Sequence, residues 1–424
     1  MKRSLAGLVV GALVLVALVW YLNIRGEDKI HDAGPPTAPT AQQAARGAYL
    51  AGVGNCAACH TVRGGTPYAG GRGIETPFGV VYSTNLTPDA ATGIGNWSAD
   101  HFWRALHNGR SRDGRLLYPA FPYPNYTTVT RADSDALFDF LRSRQPVHQP
   151  ARPHDLSWPF SSQAALAVWR ALYFKPGSYI AEPAQPAEWN RGAYLVEGLG
   201  HCSACHSRRN ALGASSNMLD LSGGLIPMQN WYAPSLTSPA EAGVADWPLD
   251  HVVRLMQSGV SRSGTVLGPM AEVVLNSTQY WNPEDLRAMA AFLKALPQTQ
   301  IPIRLAIASV DIEKAQHGAR LYEKHCAQCH GAQGQGVPGA YPPLAGNRAV
   351  LMKETANMVQ VVLYGGFPPA TAGNPRPFGM PPYVLQLADT DVAAVLTHVR
   401  TSWGNKAPAV TEVDVLRKRS SSAQ

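Results

Sequence analysis

The chain begins with one long apolar run, and shorter apolar stripes at helical spacing follow it. Leu5 to Leu22 contains 18 uncharged, largely apolar residues, which at helical rise reach about 27 Å, close to the thickness of a bilayer's hydrocarbon core. Trp20 and Tyr21 lie at the end of the run, where amphipathic aromatic side chains favour the membrane interface. The pattern predicts a transmembrane anchor at residues 1–25.

A cleaved signal peptide is the alternative interpretation of this run. Signal peptides have a shorter apolar core of roughly 7–15 residues with small residues directly after it, whereas residues 23–26 form a poor cleavage site. We therefore expect an uncleaved anchor in the bacterial inner membrane. Because basic residues stay on the cytoplasmic side, Lys2 and Arg3 predict that the rest of the chain lies in the periplasm. Residues 26–43 contain several prolines and predict a flexible linker.

The helical stripes recur in three segments of similar sequence. Arg46–Leu50 and Arg191–Leu195 have the same five residues, each ahead of a cysteine pair, and Gly318–Tyr322 is a looser version ahead of a third pair. Each predicts a short helix that leads into its cysteines. Self-similarity at this spacing indicates a repeated domain.

The first two segments match again further on, where Asn96–His101 aligns with Asp246–His251. Both stretches predict a helix that ends near Gly109 or Gly259, because glycine permits the left-handed turn that stops a helix. Each segment then closes with an amphipathic helix, the second one capped by Asn282. The apolar stripes of these closing helices are Leu137, Phe138 and Leu141; Leu286, Met289, Phe292, Leu293 and Leu296; and Val392, Val395, Leu396 and Val399.

The repeats predict a mainly α protein of three tandem domains. We place them at residues 44–180, 181–300 and 301–405, followed by a flexible tail at 406–424. Hydrophobic residues make up 45% of the chain, which excludes wholesale disorder. The formal net charge is +7, but the basic residues are not gathered in long runs, so no nucleic-acid interface is predicted.

All six cysteines occur in C-x-x-C pairs that are followed directly by a histidine. Two thiols three positions apart lie on one face of a helical turn. They can form thioether bonds with the two vinyl groups of one haem, while the next histidine binds its iron. We therefore predict three covalent haem c groups. Their attachment and proximal residues are Cys56, Cys59 and His60; Cys202, Cys205 and His206; and Cys326, Cys329 and His330.

A C-x-x-C pair can also form part of a zinc site or of a disulfide framework. A zinc site would combine two such pairs and would not require a histidine after each of them. A disulfide framework is compatible with an oxidising compartment, but it does not explain why all three pairs end in histidine.

The distal iron ligand is predicted to be methionine in two of the three domains. Met380 lies between Gly379 and Pro381, and Met270 follows Pro269, so both are expected on rigid loops that could hold a thioether sulfur over the iron. The alternative interpretation is that both methionines only fill space in the hydrophobic core, a role in which methionine is common. Met256 is the rival in the second domain, but it falls inside a predicted helix.

The first domain contains no methionine, since none occurs between Met1 and Met218. Ala120 or Phe121 occupies the position where a distal ligand is expected, and neither can bind iron. We expect the first haem to be five-coordinate or to use another ligand, for which His107 is the candidate. His101 is a weaker candidate, because its counterpart His251 lies in a domain that has its own methionine.

The chain resembles a known family over nearly its whole length after the anchor. Tyr82–Asp89, Thr92–Gly95 and Leu117–Ala120 are very similar to the first domain of the triple-haem cytochrome c subunits of membrane-bound bacterial dehydrogenases for alcohols, aldehydes and sugar acids such as gluconate. The resemblance implies three class I cytochrome c folds, a partner dehydrogenase subunit, and electron delivery to ubiquinone or other respiratory carriers. Family members commonly have methionine where this chain has Phe121.

The expected function is electron relay by a subunit that has no catalytic residues of its own. No nucleophile–base motif, metalloprotease motif or phosphate loop is present. The resemblance allows partners that use pyrroloquinoline quinone, flavin or a molybdenum pterin. The uncleaved anchor favours the molybdenum type, an enzyme that oxidises aldehydes or N-heterocycles. The alternative is a self-sufficient haem enzyme, a peroxidase or reductase, that uses an open first haem.

Mass spectrometry of the mature chain tests the covalent attachment. Because each C-x-x-C-H segment is expected to hold one porphyrin by two thioether bonds, the intact mass should exceed that of the polypeptide by three haem groups. A mass equal to that of the bare polypeptide, from a host that matures c-type cytochromes, would contradict the prediction.

Overall fold

The computed structural model describes residues 2–30, 39–215, 220–299 and 312–420, and these residues are mainly helical. Contacts between residues divide the chain into two compact units. Unit 1 comprises Met1–Gln185, Ala193–Ala204 and Arg209–Leu219, and unit 2 comprises Pro186–Gly192, Cys205–Arg208 and Asp220–Gln424. The division into three tandem domains stays a prediction.

Eighteen α-helices are found in the described residues. They are α1 Lys2–Ile24, α2 Ala41–Val53, α3 Cys56–Cys59, α4 Ala99–Asn108, α5 Tyr123–Tyr126, α6 Arg131–Arg142, α7 Gln163–Tyr173, α8 Ala187–Tyr194, α9 Ser203–His206, α10 Leu249–Ser258, α11 Pro269–Asn276, α12 Pro283–Ala295, α13 Ile312–His325, α14 Ala327–His330, α15 Arg348–Leu351, α16 Ala356–Tyr364, α17 Asp389–Thr401 and α18 Glu412–Ser420. A π-helical turn at Leu195–Leu199 continues α8, and a 3₁₀ turn lies at Thr278–Tyr280.

The strands are few and short. In unit 1 an antiparallel sheet has the order β1-β2-β3, and in unit 2 β4 pairs with β5. In the larger sheet Ile74 lies opposite Val81, and Val80 lies opposite Asp155. The strands are β1 Gly73–Thr76, β2 Gly79–Tyr82, β3 Asp155–Leu156, β4 Gly224–Leu225 and β5 Tyr232–Ala233.

A close helix crossing occurs three times in the structure. Helix α2 crosses α6 at Gly47, where a Cβ atom would overlap the carbonyl oxygen of Ala136. Gly192 of α8 meets the carbonyl of Ala288 in α12 in the same way, and Gly318 of α13 meets that of Ala394 in α17. The three helices that lead into cysteine pairs therefore each pack on a closing helix.

A side-chain contact with an aspartate lies beside each of these crossings, an ion pair in the two cases with arginine and a hydrogen bond in the case of His317. On the leading helix, the residue directly before the crossing glycine binds an aspartate of the closing helix. This aspartate lies three positions before the alanine whose carbonyl the glycine approaches. The pairs are Arg46 Nε with Asp133 Oδ1 at 3.0 Å, Arg191 Nε with Asp285 Oδ1 at 2.7 Å, and His317 Nε2 with Asp391 Oδ1 at 2.7 Å. The threefold recurrence of both contacts supports the predicted repeat.

The predicted helix ends and core stripes are found in the structure. Helices α4 and α10 end at Gly109 and Gly259, which have φ of 59° and 80°. Asn282 caps α12, since its side chain accepts a hydrogen bond from the Asp285 amide. The stripe residues of α6, α12 and α17 are buried, except Leu296, which lies just past the end of α12 and is partly exposed.

Helix α1 has the length and apolarity of the predicted anchor. Within Arg3–Ile24 an 18-residue window has a mean hydropathy of 2.6, and none of that window is buried within the protein. Among the described residues it is the one helix long and apolar enough to cross a membrane. Signal sequences share these properties, so this finding alone does not separate the two interpretations.

The end of α1 is bonded to the rest of unit 1. Asn23 Nδ2 donates to the Ala167 carbonyl at 2.9 Å, and Asn23 Oδ1 accepts from Nε of the buried Arg170 at 2.9 Å. Arg110 binds both the Asn23 carbonyl and, at 2.6 Å, the Glu27 carboxylate. Part of the predicted linker is therefore fixed to unit 1, while its residues 31–38 lie outside the described residues.

Residues that the sequence placed in a flexible tail form the packed helix α18. Val410 and Val415 are buried in the apolar cluster of α16 and α17. Arg419 Nε binds Asp389 Oδ1 at 2.6 Å, and its Nη2 donates to the Leu387 carbonyl. Two apolar residues in a short charged segment were too weak a pattern to predict this packing.

Two glycines of α2 provide a matched test of the helix crossing. Gly47→Ala should destabilise the protein by about 1–3 kcal/mol, because the new methyl group overlaps the Ala136 carbonyl. Gly52→Ala in the same helix meets nothing within 4 Å and should stabilise it by about 0.5–1 kcal/mol through helix propensity. Thermal unfolding followed by circular dichroism measures both changes. Equal effects of the two substitutions would contradict the close crossing.

Candidate functional site

Each C-x-x-C-H segment lies at the end of a helix that takes part in a crossing. Its residues form a short helical turn, namely α3, α9 or α14. None of the six cysteines forms a disulfide. None of these thiols is therefore consumed by a bond to another cysteine.

The three histidines share one hydrogen-bond arrangement. His60 Nδ1 lies 2.7 Å from the Thr84 carbonyl, His206 Nδ1 lies 2.7 Å from that of Pro234, and His330 Nδ1 lies 3.0 Å from that of Pro342. Since a carbonyl only accepts, each Nδ1 carries the proton and each Nε2 is left with a lone pair. The accepting carbonyls are Thr84, Pro234 and Pro342, so each ring is held by a loop further along the chain.

Burial adjusts the protonation of the site residues. It lowers the pKa of His60, His206 and His330, although the hydrogen bond to the backbone carbonyl acts in the opposite direction. The neutral imidazole is the form that binds metal. Burial, and then the neighbouring cysteine, raise the pKa of Cys56 to about 12 and that of Cys326 to about 11.

Met380 lies on a loop that is fixed by two backbone hydrogen bonds between Met380 and Gly366. Its amide donates to the Gly366 carbonyl at 2.8 Å, and its carbonyl accepts from the Gly366 amide at 3.0 Å. Its side chain packs against the cluster that contains Leu363 and Tyr383. Tyr383 follows Met380 by three residues in the sequence. Burial, and then Cys326 and Cys329, raise the pKa of Tyr383.

The sequence predicted that Met270 lies on a loop, and this prediction is wrong: Met270 is the second residue of helix α11. Gly268 precedes this helix with φ of 56°. The Met270 side chain packs with Val266 and Val274. The rival Met256 lies within α10, as predicted.

Phe121 lies in an aromatic cluster beside the first cysteine pair. Its ring centroid is 5.3 Å from that of Tyr126 and 6.5 Å from that of Tyr123. Burial and then Cys56 and Cys59 raise the pKa of Tyr126 well above its usual value. The side chain at the position of the missing methionine therefore lies beside Tyr126, whose hydroxyl donates to the carbonyl of Gly54, two residues before Cys56.

His107 is buried and stacks on Trp103 with 4.3 Å between ring centroids. Burial lowers its pKa, against smaller opposite effects of the Thr127 backbone and Asp28. Within the described residues its Nδ1 has no hydrogen-bond partner. His101 caps the start of α4 with Ser98. Nothing in these contacts tests either residue as an iron ligand, so both stay predictions.

Comparison with known proteins identifies the family. The family model "Cytochrome c" matches residues 44–145 and 315–403. The chain is 40% identical over 395 residues to the cytochrome c subunit of the quinone alcohol dehydrogenase of Komagataeibacter europaeus, covering 89% of this chain and 84% of that protein. It is 36% identical to the gluconate 2-dehydrogenase cytochrome c subunit of Pantoea cypripedii, covering 99% of this chain and 95% of that protein.

The chain belongs to the cytochrome c subunits of dehydrogenases. A further relative is one of the subunits of the nicotinate dehydrogenase of Pseudomonas putida, which is 38% identical over 96% of this chain. The chain covers 34% of that longer protein. Family membership confirms the predicted resemblance and implies covalently bound haem c and electron transfer.

The residues of this cytochrome c subunit fit haem c at the C-x-x-C-H segments. Cysteines that form no disulfide suit two thioether bonds, and a histidine whose Nδ1 is bound to a carbonyl presents Nε2 to an iron. The family model matches the first and third segments only. The second has the same histidine–carbonyl bond and the same helix crossing.

Sequence reasoning did not find the aromatic and histidine neighbours of the cysteine pairs in the cytochrome c subunit. Tyr383 donates from its hydroxyl to the His325 carbonyl at 2.8 Å, directly before Cys326. His201 is half-buried beside the Gly54 backbone, with its ring centroid 5.6 Å from that of Tyr126. Their positions depend on tertiary packing, and the one local signal is that His201 directly precedes Cys202.

Carbon monoxide binding tests the distal ligands, because CO binds reduced haem that has an open position. We expect the reduced wild type to bind about one CO per chain, at the first haem. Met380→Leu and Met270→Leu should each add about one, and the matched control Met256→Leu should add none. Phe121→Met should remove the wild-type binding.

Optical titration of the reduced protein with CO measures these numbers. If the wild type binds no CO and shows three low-spin haems, the first haem has a sixth ligand. In that case His107→Gln should open it.

Proposed function

We propose that this cytochrome c subunit relays electrons through three covalent haems from a periplasmic dehydrogenase subunit to ubiquinone or another respiratory carrier. The observation that carries the proposal is the threefold arrangement of a cysteine pair without a disulfide, a carbonyl-bound histidine and a glycine crossing. An enzyme with one reactive haem would not need three such sites, whereas a relay uses each as a step.

The chain's own residues divide the work at each site. The thiols fix the porphyrin edge, so the macrocycle cannot dissociate, and the carbonyl-bound histidine sets the ring orientation on the proximal side. Met270 and Met380 supply the distal sulfur in the second and third sites. When bound, haem c supplies an iron that gains and loses one electron reversibly.

The distal residue distinguishes the first site from the other two. A thioether sulfur favours ferrous iron and raises the reduction potential. Phe121 supplies no ligand, so the first haem is expected to differ in potential from the other two. This site is also the observation that favours the second candidate function, a self-sufficient peroxidase or reductase.

The anchor places the relay at the periplasmic face of the inner membrane. Support comes from the bonds of Asn23 to Ala167 and Arg170, which would be lost if residues 1–25 were cleaved.

A retained anchor also agrees with a partner of the molybdenum pterin type. One relative belongs to a nicotinate dehydrogenase, and nicotinate is an N-heterocycle, the second substrate class expected for this partner type. Quinone-cofactor and flavin partners are the alternatives.

Purification of the tagged full-length chain in mild detergent tests both the relay and its partner. We expect a larger dehydrogenase subunit to co-purify, with molybdenum detectable by elemental analysis. Its substrate should reduce all three haems, and a ubiquinone analogue should reoxidise them. Chain purified without the partner should not be reduced by the substrate.

The outcomes separate the parts of the proposal. A partner that contains pyrroloquinoline quinone or flavin would overturn the molybdenum assignment and leave the relay intact. Turnover of peroxide by the isolated chain, with no dehydrogenase attached, would overturn the relay in favour of the self-sufficient enzyme.

A further inference from the structure

Helix α7 presents an apolar face with no partner among the described residues. Ala164, Val168 and Leu172 are spaced at i, i+4 and i+8, so they form one stripe along the helix. Val168 is 48% exposed and Leu172 is 64% exposed. Leu166 and Arg170 lie on the opposite face and are 5% and 3% exposed. The helix therefore has its charged residue inside and its apolar stripe outside.

Exposed apolar residues also flank α7 in the sequence. Trp158, ahead of α7, is 85% exposed, and Ile180, beyond its end, is 87% exposed. From Leu156 to Phe174 the single charged residue is Arg170, which is buried, and the next charge is the exposed Lys175 just past the helix. Scattered apolar residues are normal on a protein surface, but an exposed apolar helix face without a surface charge indicates a binding surface.

Contacts with the anchor place this surface at the end of α1. The Ala167 carbonyl accepts a hydrogen bond from Asn23 Nδ2, which also donates to the Val19 carbonyl. Helix α7 therefore packs against the turn of α1 that carries Trp20 and Tyr21, which are 64% and 59% exposed. Such aromatic residues mark the boundary between hydrocarbon and headgroups. Helix α7 therefore lies beside the end of the anchor, and its exposed stripe is part of the surface of unit 1 that is nearest to that end in the bonded structure.

We propose that α7, with Trp158 and Ile180, forms a second membrane contact that lies on the lipid bilayer beside the anchor. The inference rests on the proposed membrane anchoring. The occupant is lipid because α7 is bonded to the last turn of the anchor and exposes no charged side chain of its own to a protein partner. The contact would act together with the bonds of Asn23 and Arg110 to fix the orientation of unit 1 on the membrane.

Site-specific photocrosslinking tests this contact in the full-length chain in native membranes. A diazirine amino acid replaces Leu172 or, separately, Val168. Leu13 in the anchor serves as the positive control, and Leu385 in unit 2, which is 96% exposed, serves as the negative control. After illumination, mass spectrometry distinguishes phospholipid adducts from protein adducts. We expect phospholipid adducts at positions 13, 168 and 172, at least tenfold more abundant than at 385.

Each other outcome overturns a defined part of the inference. Lipid adducts at position 13 but not at 168 and 172 would overturn the α7 contact and leave the anchor intact. Adducts of 168 and 172 with another polypeptide would assign the stripe to a protein partner. Absence of lipid adducts at position 13 as well would overturn the anchoring itself.

Discussion

The crossing of two helices at a glycine is the contact on which the rest of this cytochrome c subunit depends. At Gly47, Gly192 and Gly318 the backbone of the leading helix meets a carbonyl of the closing helix at a distance that leaves no space for a side chain. The leading helix enters the C-x-x-C-H segment within a few residues of its end. The crossing therefore positions the thiols, and the neighbouring side-chain contact with an aspartate fixes the register of the two helices.

The residues predicted to bind iron on the proximal and distal sides are held in different ways, and under the proposed function this difference would allow one scaffold to carry unlike haems. The proximal histidines bind carbonyls of loops that follow the cysteine pairs, with Nδ1–oxygen distances of 2.7, 2.7 and 3.0 Å. The distal positions come from unrelated local structures: an aromatic cluster at Phe121, the first turn of α11 at Met270 and a backbone-paired loop at Met380. Substitution at a distal position can therefore change a reduction potential without disturbing attachment.

The sequence predicted what depends on local pattern and missed what depends on packing. Helix ends at Gly109 and Gly259 and the cap at Asn282 follow from the properties of those residues. The side-chain contacts with aspartate at the helix crossings join residues about 74 to 94 positions apart, and one sequence gives no sign of such pairings. Helix α18 was missed because a short charged segment has little periodicity. Met270 was expected on a loop because of the preceding Pro269, but a proline suits the first turn of a helix as well as a rigid loop.

The buried guanidinium of Arg170 argues that the N-terminal segment remains part of the mature protein. Its burial lowers its pKa, and its Nε is satisfied by Asn23 Oδ1, which is contributed by the last turn of α1. Cleavage after the apolar run would leave that buried donor without its acceptor, at a cost of about 1–3 kcal/mol, and would also remove the backbone carbonyl that binds Arg110. A signal peptide is not expected to supply buried hydrogen bonds to the domain that it exports. The same contacts bring α7 against the end of α1, so the two proposals, a retained anchor and an α7 face on lipid, rest on one set of hydrogen bonds.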